Sequence, residues 1–395
     1  MNKNKNVLYV SYDGILDPLG HSQVFSYLKA LSKNINYTLV TFEKPEKLED
    51  SYFLQMKEEI NDLNINWVWF EYISFYKKPL SFMINFLKAA VNIFNLIRKN
   101  NIGIVHIRSY LTGLFIILPK VFLSFRLIFD IRGFWVNEKH DRLGWKKTSA
   151  KFRILKVLER HLFKISDRIV TLTHCSVESI STKFNISVSH ISVIRTCADK
   201  NIFYKKMYQM SHERINYGYL GSIDTAYDIE PIINLFSKHY TYNNKIRITF
   251  LTNSNKNKLI EMLDSFSIPC DAYKIKYVER NQLNNEINDL SCIIFNLKLK
   301  NSLVASMPTK IGEAFACGVP IVCNAFNEDI KSIIEKNNCG LILDFDELEF
   351  SDLFFKKFES EILALTRSNN CIELAQSEFS LKSGSSKYLE IYNSF

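Results

Sequence analysis

The sequence predicts an α/β protein built of two doubly wound, parallel-sheet domains. Three observations lead there. At 395 residues, with 47% hydrophobic and 23% charged residues, the chain is long for one domain and globular in composition, so two domains of about 200 residues each are expected. Short apolar runs alternate with helical patterns, as in a mostly parallel sheet covered by helices on both faces. The alternation then restarts at Tyr217, after a polar stretch, Lys205–Asn216, that reads as a linker.

The strands follow from apolar runs of three to six residues. In the first half they are Val7–Ser11, Tyr37–Thr41, Trp67–Glu71, Ile104–Ile107, Leu127–Ile131, Ile169–Leu172 and Ile191–Ile194. In the second half they are Tyr217–Leu220, Ile246–Leu251, Ile275–Val278, Cys292–Phe295, Pro320–Cys323 and Leu341–Leu343. Open parallel sheets of this Rossmann-like kind bind ligands beyond the carboxyl ends of their strands.

Ser302–Cys323 reads loop, helix, strand. Pro308 suits a first helical turn and Gly318 the position just past the end. The helix N-terminus offers free N–H groups and the positive end of a dipole, so an anion fits near Met307–Lys310. Thr309 and Lys310 precede Glu313 by four and three residues and share its face, so a cation and a carboxylate converge on one ligand. That pairing suits a diphosphate followed by a ribose diol, with Glu313 accepting from the hydroxyls. An ordinary solvated helix surface has the same spacing.

The stretch Ser306-Met-Pro-Thr-Lys-Ile-Gly-Glu313 resembles the donor motif of the family 4 glycosyltransferases, in the subgroup reading Ser-x-Pro-Thr-Lys-x-Gly-Glu. Further segments are similar to that family in chain order: Val7–Gly14 with Asp17–Gln23, Phe129–Glu138, Asp167–Thr173, Ile191–Asp199 with Phe203, Tyr217–Ile223, and Phe379-Ser380 with Tyr388–Tyr392. The resemblance implies the GT-B architecture, two Rossmann-like domains facing across a cleft. Residues 1–204 would bind the acceptor and 205–378 the donor, with 379–395 a helix packing back toward the first domain. It implies a retaining hexosyltransferase acting by front-side substitution, with no enzymic nucleophile and neither metal nor cofactor, since the nucleotide sugar is a cosubstrate. A UDP-sugar is favoured over a GDP-sugar.

By the same resemblance Gly20, Gly221, Ser222, Ser306, Pro308, Thr309, Lys310 and Glu313 would bind the donor. Two departures stand out. Relatives commonly carry an Arg and a Lys just after the first strand of the second domain, where this chain reads Ser222-Ile-Asp-Thr-Ala-Tyr227. The family's Glu eight residues before Glu313 is Ala305 here. Lys310 is left as the main expected cation of the site.

On the acceptor side the resemblance points to His21, Gln23, His106, Arg108 and Trp135. Lys310, Arg132 and Glu138 are the catalytic candidates, Arg132 toward phosphate or acceptor and Glu138 toward acceptor hydroxyls. Arg132 and Glu138 read equally well as a structural ion pair closing their loop, and His21 reads as an ordinary loop residue as well as a base. Asp130 reads as a residue that orients a neighbour.

The net charge of +9 is uneven. Lys146–Lys164 carries seven bases and one acid, Glu159, beside an apolar helical segment, Phe82–Ile97, that suits burial or a membrane interface. An anionic membrane surface is the expected partner of the basic stretch. Leu111–Phe125 is too short to span a bilayer, and no nucleic-acid motif accompanies the charge. The eight cysteines are scattered beyond residue 174 without metal-ligand spacing, as in a reducing compartment. Together these features predict a cytoplasmic protein, peripheral at the inner face of the cytoplasmic membrane. It would extend a lipid-linked or polysaccharide acceptor in cell-surface glycan (polysaccharide, lipopolysaccharide) biosynthesis. A non-hydrolysing nucleotide-sugar epimerase and a catalytically silent sugar-nucleotide- or lipid-binding subunit are the alternatives, with a basic nucleic-acid-binding protein behind them.

Overall fold

All thirteen expected strands form, in two separate parallel sheets. In the computed structural model, residues 5–73, 79–206, 215–223 and 226–395 are described, without the side chains of Pro79, Leu365 and Thr366. The first sheet contains β1 (Lys5–Ser11), β2 (Ile35–Glu43), β3 (Asn66–Glu71), β4 (Ile104–Arg108), β5 (Arg126–Asp130), β6 (Arg168–Thr171) and β7 (Ile191–Val193). The second contains β8 (Asn216–Leu220), β9 (Arg247–Leu251), β10 (Tyr273–Lys276), β11 (Cys292–Phe295), β12 (Ile321–Cys323) and β13 (Gly340–Ile342). Their orders are β3-β2-β1-β4-β5-β6-β7 and β10-β9-β8-β11-β12-β13, the doubly wound pattern in which the chain moves outward from a central strand in both directions.

Two compact units result, Met1–Arg195 with Leu381–Phe395, and Thr196–Ser380. Residues 196–204, which the sequence reading keeps with the first domain, pack in the second. Ala198 N donates to Phe379 O at 2.8 Å and Tyr204 N to Asn284 Oδ1 at 3.0 Å. Of the expected linker, residues 207–214 lie outside the described residues.

Each sheet is apolar on both faces because helices cover both, so its strands are continuous runs rather than alternating ones. Val7, Leu8, Val10, Val105, Ile107 and Ile128 of the first sheet, and Tyr219, Ile248, Phe250, Ile294 and Val322 of the second, are buried. The helix Leu381–Asn393 belongs to the first unit, where Tyr388 and Tyr392 are buried. Lys5 Nζ donates to Tyr392 O at 2.7 Å, tying this helix to the start of β1.

One strand is displaced from expectation. β10 occupies Tyr273–Lys276 rather than Ile275–Val278 because its ladder with β9 ends at Lys276–Leu251. Val278 is thereby released into the loop beyond the strand.

Candidate functional site

In the second unit the ends of β8, β9 and β10 and the start of the helix Thr309–Ala316 enclose a cavity of about 280 Å³. Leu220 and Gly221 line it from β8, Leu251, Thr252 and Asn253 from β9, Tyr277 and Val278 from β10, and Thr309, Lys310 and Glu313 from the helix. The sequence sets this up locally. Pro308 (φ −58°, ψ 135°) occupies the N-cap rather than the first turn, and Gly318 beyond the helix takes φ +70°. Thr309, Lys310 and Glu313 therefore share the face turned to β8, as their spacing requires.

Gly221 is needed where it stands. Its φ of +118° is a conformation that side chains rarely adopt, and a Cβ there would lie 3.4 Å from Lys310 Nζ. Lys310 reaches across under the strand end, and its Nζ donates to Leu220 O. The ammonium sits 3.8 Å from the Tyr227 ring centroid and 4.8 Å from that of Phe295. Burial lowers its pKa to about 7, with Glu313 pulling weakly the other way.

Glu313 is 3% exposed and accepts from Arg280 Nη2 at 2.8 Å. Arg280 stands in the loop after β10, its guanidinium 5.1 Å from the Phe203 ring, with a buried Nε that has no hydrogen-bond partner. The site thus holds a second cation, in a different loop from the one that follows β8. Gly221, Thr309, Lys310 and Glu313 converge as expected, whereas Ser222, Ser306 and Pro308 do not line the cavity. Ser222 O accepts from Tyr219 Oη at 2.8 Å, and Ser306 O from Asn327 Nδ2 at 2.9 Å. Ala305 is fully buried. Asp224 and Thr225, in the segment after β8, lie outside the described residues.

In the first unit the charged candidates gather at the carboxyl ends of β4 and β5 around a buried carboxylate. Asp130 Oδ2 accepts from Tyr388 Oη at 2.8 Å and lies 3.6 Å from His106 Nε2. Its Oδ1 is 3.6 Å from Arg132 Nε. Burial raises the Asp130 pKa, but Arg132, His106 and Arg108 outweigh that and hold it down at about 2. Burial lowers the His106 pKa despite Asp130, and Asp130 holds the Arg132 guanidinium charged against its own burial. All three guanidinium nitrogens of Arg132 are buried and without a hydrogen-bond partner.

Several expectations change here. His106 is fully buried and shares a 2.7 Å hydrogen bond with Tyr392 Oη, so it joins the helix Leu381–Asn393 to the sheet and has no open edge for an acceptor. Arg132 pairs with Asp130 rather than with Glu138, whose carboxylate instead fills the space beside Gly133. Burial raises the Glu138 pKa. Arg108 is buried, with Nε 3.6 Å from Asp13 Oδ2 and Nη1 donating to Gln23 O at 3.5 Å. Gln23 is itself buried, in a π-helical turn His21–Phe25. Gly20 is a packing residue, since a Cβ on it would lie 1.9 Å from Gly14 O. The His21 ring packs 5.4 Å from Phe25, and Trp135 stacks 6.2 Å from Tyr110. Among the described residues no three His, Cys, Asp or Glu side chains gather as metal ligands do.

No protein-family model and no curated protein sequence matches the chain. Solved structures do match over its whole length. Sucrose-phosphate synthase from Thermosynechococcus elongatus aligns with a TM-score of 0.75 at 11% identity, covering 99% of each chain. HepE from Anabaena, in complex with UDP, aligns with a TM-score of 0.71 at 10% identity over 99% of this chain and 100% of its own. The lipopolysaccharide outer core galactosyltransferase WaaB aligns with a TM-score of 0.66 at 12% identity, again over 99% and 100%. The fold is GT-B. The structures similar to it also include HepE with UDP and glucose and HepE with UDP-glucose.

Within this GT-B fold, Arg280, Thr252, Asn253, Tyr277 and Val278 are the site residues that sequence reasoning missed. Each follows a strand of the second sheet, and the rule that ligands bind beyond strand carboxyl ends was the available signal. Nothing in the spacing of Arg280 and Glu313 indicates their pairing.

Proposed function

We propose that the chain is a retaining family 4 glycosyltransferase that moves a hexose-type sugar from a nucleotide-diphosphate sugar to a lipid-linked or polysaccharide acceptor. The observation that carries the reading is the convergence of Gly221, Thr309, Lys310 and Glu313 on one cavity of the second unit. Close backbone approach, a helix N-terminus and a buried cation suit a diphosphate, and a carboxylate one turn deeper suits the ribose hydroxyls. The leaving nucleoside diphosphate gains charge as the glycosidic bond breaks, so Lys310 would act chiefly in the transition state. Arg132 and Glu138 remain the candidates on the acceptor side.

A uridine nucleotide is the favoured donor, in keeping with the UDP-glucose bound by HepE. The setting we infer is cell-surface glycan biosynthesis, in keeping with WaaB, a lipopolysaccharide outer core galactosyltransferase, and we place the chain at the inner face of the cytoplasmic membrane on its basic and apolar helices alone. A catalytically silent donor-binding subunit is the second reading, favoured by the buried Ala305 where relatives carry a Glu. A thermal-shift screen of nucleotide sugars tests the donor, because a ligand stabilises the fold in proportion to its affinity. Incubation of the stabilising donor with lipid-linked acceptors then separates the readings. Acceptor-dependent nucleotide release with an α-linked product from an α-donor supports transfer, and donor binding without release supports the silent subunit.

A further inference from the structure

We infer that one face of the first unit is a docking surface for an anionic phospholipid bilayer. The helices Pro79–Lys99, Tyr110–Phe122 and Ala150–Ile165 belong to the crossovers β3 to β4, β4 to β5 and β5 to β6. All three connections run in the same direction along the sheet, so right-handed crossovers place their helices on the same face. They pack side by side. Phe86 stacks 4.3 Å from Phe115, and Tyr110 lies 6.4 Å from Phe163.

The helix Pro79–Lys99 is apolar on two sides. Ala89, Ile93 and Ile97, at intervals of four, are buried toward the sheet. The opposite side keeps Leu87 and Val91 outward, joined by Val121 and Phe122 of the second helix and Ile154 and Val157 of the third. These six side chains are between 59% and 73% exposed. A helix facing water would be polar on that side, and an exposed apolar surface spread over three neighbouring helices marks an interaction site. The Leu80–Lys99 segment is long and apolar enough to cross a bilayer by length and composition, but its inner stripe is committed to the domain core.

Charge selects the occupant. The three helices carry nine Lys and Arg residues and a single acid, Glu159, which is fully buried and paired with Lys156. Lys88, Arg98, Lys99, Lys151, Arg153, Arg160 and Lys164 are exposed. A second copy meeting this face through a two-fold axis would set cations against cations. Nucleic acid would match the cations and leave the apolar residues without a role. A bilayer with anionic headgroups satisfies both, with phosphates against the Lys and Arg side chains and the apolar residues in the headgroup–acyl boundary. This inference stands on the first unit and is independent of the donor reading.

Flotation of the full chain with phosphatidylglycerol–phosphatidylcholine vesicles, pure phosphatidylcholine vesicles and no vesicles tests it without donor or acceptor. The unsubstituted protein should float with the anionic vesicles, hardly with the neutral ones, and be released by high salt. The variants Leu87→Gln/Val91→Gln and Lys151→Gln/Arg153→Gln/Arg160→Gln should each lower the anionic-vesicle partition coefficient at least tenfold. All five positions are exposed, so the fold should tolerate either set, and each set tests a different component. Equal binding by all three proteins, equal binding to both vesicle types, or no binding to either would overturn the inference. So would a dimer in sedimentation equilibrium that Leu87→Gln/Val91→Gln dissociates, since a second copy would then cover the face.

Discussion

Replacing Lys310 by Met should stabilise the unliganded protein at pH 7. Burial brings the Lys310 pKa from 10.5 to about 7. At ~1.36 kcal/mol per unit of pKa, keeping this ammonium in the fold costs on the order of 4 kcal/mol at neutral pH. The attraction of the Tyr227 ring belongs to the charged form and works against that cost. Met removes the ionisable group but leaves Leu220 O, the acceptor of Lys310 Nζ, without its donor, a loss of about 1–3 kcal/mol. The desolvation term is larger, so the net gain at pH 7 should be about 1–3 kcal/mol. The unfolded chain holds the proton up to about pH 10.5 while the fold releases it from about 7. The cost is therefore full below pH 7 and fades as pH rises through that window. Differential scanning calorimetry of both proteins at several pH values between 7 and 10 should show the variant ahead at pH 7 and falling behind as pH rises. A variant less stable at pH 7, or an advantage independent of pH, would refute the reasoning. The same variant should lose donor binding, because a site built for a ligand's charge is stable at the expense of the empty fold.

Further substitutions probe the rest of the structure. Glu313→Ala should weaken nucleotide-sugar binding more than tenfold, on the order of 1.5–3 kcal/mol for a charge-assisted hydrogen bond, as read by calorimetric titration. Arg280→Gln removes the partner of Glu313 and should cost on the order of tenfold in the same titration, about 1.4 kcal/mol, with Arg280→Lys partly restoring binding. Gly221→Val forces a side chain into φ +118° and should destabilise the second unit by about 1–3 kcal/mol in chemical denaturation. Tyr388→Phe takes the hydroxyl donor from the buried Asp130 and should destabilise the first unit by about 1–3 kcal/mol. No loss in its melting transition would remove Tyr388 from the account of that cluster.

The contrast between sheets and side chains shows what can be read from such a sequence. Strands were legible because a sheet covered on both faces demands continuous apolar runs, and Val7–Ser11 or Cys292–Phe295 satisfy that locally. The donor helix was legible for a similar reason, since Pro308, Gly318 and the spacing of Thr309, Lys310 and Glu313 are local. What the spacing left open was the direction and pairing of charged side chains across the fold. Arg280 meets Glu313 only because β10 and the helix Thr309–Ala316 meet in space. His106, a polar residue at a strand end, looked available to a ligand, but the partners that enclose it, Tyr388 and Tyr392, come from residues 258 and 286 positions away from Asp130 and His106 respectively. Val278 reads as the end of a strand because it is apolar, although apolar residues also line ligand cavities.

Calorimetric titration of UDP-glucose, UDP-galactose and GDP-mannose into the unsubstituted protein, Glu313→Ala and Lys310→Ala tests the central claim most directly. One saturable site is expected for at least one of these donors, weakened more than tenfold by Glu313→Ala and weakened by Lys310→Ala. Saturable binding of equal affinity in all three proteins would place the nucleotide elsewhere and contradict the account.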